Sequence, residues 1–84
     1  MRVYFITFRS VTLAQRGERV LRKHGMHCQI QRTPRWMEEQ GCGYCLQLRT
    51  DDVAPAVALL KAAGVQFRKV YFQRPDSNVE EAAV

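Results

Sequence analysis

Residues 2–8, RVYFITF, are apolar on both faces of an extended chain, with Val3 and Phe5 on one side and Tyr4, Ile6 and Phe8 on the other. This density of β-branched and aromatic side chains predicts a strand. An extended segment with two apolar faces must be covered on both. It is therefore a central strand, or one whose far face meets another subunit.

The rest of the chain supplies the partners. Ser10 offers an N-cap, and apolar positions follow at Leu13, Ala14, Gly17, Val20 and Leu21, while Arg16, Arg19, Arg22 and Lys23 fall mainly off that stripe. Lys23 and His24 in the last turn and Gly25 beyond it end an amphipathic helix. Residues 27–33 alternate as a second strand, which Pro34 closes. After a connection, residues 43–49 alternate again, with Tyr44, Leu46 and Leu48 on one face. Thr50 or Asp51 caps a second helix with the stripe Val53, Ala56, Val57, Leu60 and Ala63. Pro55 sits in its first turn and Gly64 stops it. Residues 65–72, VQFRKVYF, read as the last strand.

Strand, helix, strand, strand, helix, strand predicts an α+β fold. The expected form is a ferredoxin-like βαββαβ sandwich, with a four-stranded antiparallel sheet and two helices on one face. Right-handed crossovers place strands one and three in the middle. The 84 residues allow one domain, read as 1–74. Residues 75–84, PDSNVEEAAV, are expected to be a disordered acidic tail. The formal charge is +5, but the tail holds Asp76, Glu80 and Glu81 and no base, so thirteen basic and five acidic residues leave +8 on the rest. No apolar run approaches the length of a membrane span, and the expected location is a reducing cytoplasm.

Topology brings the connection from Pro34 to Gly43 to the same end as the first helix's N-terminus, with its free N–H groups and positive dipole end. Arg9, Arg32 and Arg35 belong at that end, and the connection contains Cys42. Gly41 and Gly43 flank Cys42, which allows an open backbone around the sulfur. A thiol near a helix N-terminus and arginines is the setting that lowers a cysteine pKa below about 8.5. The competing reading is a small residue buried at a turn. Cys45 completes a Cys-Gly-Tyr-Cys sequence that looks like a dithiol redox motif. Its second cysteine, however, opens a strand and not a helix. An extended spacing of three residues is about 10 Å, beyond the roughly 7 Å that a disulfide bridges. Pairing would need a tight turn at Gly43.

Cys28 alternates with Ile30 and reads as a core thiol at the opposite end. No metal site or cofactor is expected: His24, His27 and Cys28 cluster, but a structural zinc site takes four ligands. The basic surplus permits single-stranded RNA on a sheet with Tyr4, Phe8, Tyr71 and Phe72, yet the third strand, YCLQLR, lacks the basic, glycine and aromatic pattern of such sheets. Nucleic acid is disfavoured.

With these residues in view, the chain resembles the small bacterial selenium/sulfur (Se/S) carrier-like proteins over most of residues 3–72. The resemblance rests on the opening Tyr4-Phe5-Ile6-Thr7-Phe8, the helix ending before Gly25, Thr33-Pro34-Arg35, Cys42-Gly43, and the LQLR strand before an acidic helix start. It implies that Cys42 bears a persulfide or perselenide, that Gly43 gives access, and that Pro34 and Arg35 shape the loop. It implies a carrier more than a stand-alone enzyme, with a sulfur or selenium donor and an acceptor protein as partners. Cys45, where a small apolar residue is more usual, departs from the pattern and could resolve a persulfide. Arg9, Arg32, Arg35 and Ser10 are the expected stabilisers of a Cys42 thiolate. Two other readings stand beside this one. The first is a non-catalytic interaction or regulatory domain, homodimeric through the sheet face of Tyr4, Ile6 and Phe8. The second is a Cys42/Cys45 dithiol redox protein.

Overall fold

A computed structural model describes residues 2–33, 43–74 and 79–82. The elements are β1 (Arg2–Phe8), α1 (Val11–Lys23), β2 (Cys28–Arg32), β3 (Tyr44–Thr50), α2 (Ala54–Ala62), β4 (Val70–Gln73) and β5 (Val79–Glu81). The strands form one antiparallel sheet in the order β2-β3-β1-β4-β5. The protein is therefore α+β with two helices and a five-stranded sheet, and β1 and β3 lie side by side inside it, as right-handed crossovers predict.

The two faces of β1 have different cover. Tyr4, Ile6 and Phe8 join Ala14 and Leu21 of α1 and Ala56, Val57 and Leu60 of α2 in the main core. Phe5 and Cys45 form a second cluster with Val3, Tyr71 and Val79, to which neither helix contributes. The sheet face expected to dimerise is thus the one the helices cover. Ile6 and Phe8 are fully buried there, so no second subunit can use it. Sequence shows that both faces of β1 are apolar; which one receives the helices follows from the crossovers.

Helix α1 begins as expected. Ser10 is extended and its hydroxyl oxygen accepts from the Leu13 N–H at 3.2 Å. It ends with Gly25 at φ 80°, a conformation that favours glycine. The start of α2 differs from expectation. Neither Thr50 nor Asp51 caps it; the Asp52 carboxylate accepts from the Ala54 N–H at 3.0 Å, while the Thr50 hydroxyl is engaged with the backbone of Asp52.

Gly17 lets α1 approach the sheet closely. A Cβ there would lie 2.9 Å from Phe8 Cζ and 3.2 Å from Leu46 Cδ1. Alanine normally gains up to about 1 kcal/mol over glycine inside a helix, whereas overpacking a filled core costs about 1–3 kcal/mol. Gly17→Ala is therefore expected to lose about 1 kcal/mol in urea unfolding; a gain would show that the Phe8 ring yields freely.

The last part of the sheet departs from the sequence reading in two ways. Residues 65–69 do not continue the strand. Thr7 donates its N–H to the Lys69 carbonyl at 2.9 Å and accepts the Arg68 N–H at 2.7 Å. Two residues thus face one, the arrangement of a β-bulge. The Thr7 hydroxyl holds it, accepting from the Lys69 N–H at 3.0 Å and donating to the Lys69 carbonyl at 3.2 Å. Within the segment expected to lack structure, Val79–Glu81 pair with β4, and the Ala82 N–H bonds the Val70 carbonyl at 2.7 Å.

Candidate functional site

The segment carrying Pro34, Arg35 and Cys42 lies outside the described residues; the structure does fix the frame around it. The Thr33 N–H donates to the Gly43 carbonyl at 3.0 Å, so the chain leaves and rejoins the sheet at adjacent points. Tyr44 stands opposite Arg32 on β2 and opposite Phe8 on β1. Arg9 and Ser10 follow directly from Phe8. Arg9, Ser10, Arg32 and Gly43 therefore meet at one end, spread over three strands and so about 10 Å across. Both arginines are exposed and Gly43 is buried. The Ser10 oxygen is already the acceptor for the Leu13 N–H, so its part at this end is to cap α1.

Cys45 is the strand residue that alternation predicts. It pairs with Thr7 on one side and Gln31 on the other, is wholly buried, and is a free thiol. Burial pushes its pKa up; hydrogen bonding by the Gln31 and Thr33 side chains to the charged form opposes this. Thr33 Oγ1 is buried, with no hydrogen-bond partner among the described residues. As it stands, Cys45 is a protonated, inaccessible thiol.

Cys28 lies at the other end of the molecule, buried and free. Burial raises its pKa, as does the nearby Glu18 carboxylate, while Arg22 acts in the opposite sense. Arg22 also donates to the Cys28 carbonyl at 3.1 Å. Both described thiols thus have folded-state pKa values above the ordinary 9.0. The unfolded chain loses these protons first, so their contribution to stability is full below about pH 9 and declines as pH rises through the folded values. Urea midpoints are expected to fall above pH 9, and a Cys28→Ala, Cys45→Ala chain should lose part of that fall. An undiminished fall in the double variant would show that other groups cause it.

One feature of this end escapes the sequence reading. On the β4 flank of β1, Arg9 lines the same cleft as Arg68 and Lys69 of the bulge opposite Thr7. The sequence shows only a basic pair inside an apparent strand. No described helix is long and apolar enough to cross a membrane.

The chain has no match among curated proteins or among solved structures at a significant level. Residues 3–72, spanning β1 through most of β4 and including the whole frame around Cys42, match the family described as "Putative Se/S carrier protein-like". The chain belongs to that family.

Proposed function

We propose that this protein carries a sulfur or selenium atom as a persulfide or perselenide on Cys42 and delivers it to an acceptor protein. The observation that carries the reading is the family match over residues 3–72, which spans the Cys42-Gly43 sequence. Loading is a displacement without net oxidation. The Cys42 thiolate attacks the terminal sulfur of a donor persulfide, the new bond forms at Cys42 Sγ, the donor's S–S bond breaks, and the donor leaves as its thiolate. Delivery repeats the displacement with the acceptor as nucleophile. Arg9, Arg32 and Arg35 favour the anionic sulfur, Gly43 keeps it open, and Pro34 and Arg35 shape the connection. Burial of Cys45 supports transfer between proteins over an internal dithiol. The fold reads as a ferredoxin-like sandwich extended by β5, working in a reducing cytoplasm.

Intact mass after incubation with a low-molecular-weight persulfide tests this directly. The wild type is expected to gain the mass of one sulfur atom, lost again on adding a reducing thiol, and Cys42→Ser is expected to gain none. Equal loading of both proteins would overturn the proposal.

A further inference from the structure

The outer face of α1 carries a charge pattern that the fold itself does not use. Arg16, Arg19 and Lys23 are all exposed, and at 3.6 residues per turn they fall within an arc of about 60°. The arc lies opposite the buried stripe of Ala14, Gly17 and Leu21, so the cations point away from the sheet. Among the described residues, none of the three forms an ion pair. The one acid of α1, Glu18, lies off the arc, 3.4 Å from Arg22, and Arg22 also donates to the Cys28 carbonyl. That pair serves the fold; the stripe does not.

Internal causes do not account for the stripe. Arg16 and Arg19 are three residues apart, Arg19 and Lys23 four, spacings at which like charges weaken a helix. The negative end of the helix dipole favours Lys23 in the last turn, but Arg16 and Arg19 lie before that turn. Helix α2 packs on the same side of the sheet and carries Lys61 as its one charged residue. Solvation of this side therefore does not require a row of cations. Beside the stripe, at the start of α1, stands Val11, the one large hydrophobic side chain exposed among the described residues.

We propose that this face of α1 docks an acidic protein surface, that of the donor or acceptor with which the carrier exchanges its atom. Carboxylates laid along Arg16, Arg19 and Lys23 relieve their mutual repulsion, and complementarity of this kind speeds encounter and fixes orientation. Val11 offers an aliphatic contact that a protein surface can cover and a phosphate backbone cannot use, which favours protein over nucleic acid. The helix also starts at the end of the sheet where the chain rejoins at Gly43, the residue after Cys42. A partner seated along α1 is thereby aligned with the end from which the Cys42 segment leaves and rejoins the sheet. The inference rests on the carrier reading, since the docked proteins are the carrier's exchange partners.

Fluorescence anisotropy of the full chain with a labelled synthetic helix tests it. The probe is about 20 residues long with Glu along one face; a Gln analogue and a single-stranded oligouridine of equal charge serve as comparisons. The Glu helix is expected to bind at least about tenfold more tightly than the Gln helix, with the gap closing as salt rises. Arg16→Gln, Arg19→Gln and Lys23→Gln combined should weaken it at least about tenfold. Arg49→Gln, Lys61→Gln and Arg74→Gln combined remove the same charge and should weaken it less than about threefold. The first triple variant should also unfold at or above the wild-type temperature, because like-charge repulsion is removed. Equal weakening by both triple variants, tighter binding of oligouridine than of the Glu helix, or a lower unfolding temperature would each sink the idea. Binding here makes no use of the thiol, so the same measurement on Cys42→Ser keeps its outcome separate from that of the persulfide experiment.

Discussion

Phe8→Ala is expected to lower stability by about 3–5 kcal/mol. The ring is fully buried at the end of a central strand, faces the closest approach of α1 at Gly17, and lies in the core that joins both helices to the sheet. Removing it leaves a cavity that neighbours cannot easily fill: β1 is hydrogen-bonded on both sides, and Gly17 has no side chain to lean inward. A chain of this size has a total of about 4–13 kcal/mol to lose. The variant should therefore be largely unfolded in modest urea, with a midpoint far below the wild type. A loss under about 1.5 kcal/mol would mean that α1 collapses onto the sheet when the ring is gone, and that its seat on Gly17 is not fixed.

The second large effect separates the three thiols. At neutral pH, a small alkylating reagent is expected to modify Cys42 quickly and to reach Cys28 and Cys45 at least about a hundredfold more slowly, because both require local opening of the structure. Cys45 has no exposed surface, Cys28 has 4%, and burial holds each in the unreactive protonated form. In denaturant, all three should react at similar rates. Peptide mapping after timed quenching gives the three rates. Fast native labelling of Cys45 would restore the dithiol reading, since a sulfur that opens so readily could meet Cys42. Fast labelling of Cys28 would show that the α1–β2 end is frayed.

Much of this fold can be read in local patterns. The two-sided β1, the helix from Ser10 to Gly25 and the placement of Cys45 on a strand follow from periodicity and caps alone. The sequence VQFRKVYF misleads for a specific reason: its composition suits a strand throughout, but the Thr7 hydroxyl, more than sixty residues away, competes for the Lys69 backbone. Strand β5 gives little hydrophobic signal because Val79 is its one apolar residue, and the rest of its pairing comes from backbone hydrogen bonds to β4 and the exposed pairs Arg74–Glu80 and Lys69–Glu81. The choice of covered face was equally hidden, since Val3 and Phe5 look as apolar as their neighbours. That Arg9, Arg32 and Gly43 share one end of the sheet is legible from strand order. The cleft that Arg9 shares with Arg68 and Lys69 is not, because its side chains come from separate segments.

Strand β5 also bears on how the protein behaves at high concentration. Without it, β4 would present the unpaired backbone of Val70-Tyr71-Phe72-Gln73, an apolar edge of the kind that recruits a strand from another molecule. The three residues of β5 occupy that edge and offer Glu80 and Glu81 in its place. Two carboxylates on a short outer strand discourage stacking of like edges. The acidic segment thus makes edge-to-edge, fibrous association of the sheet less favourable than a bare β4 edge would.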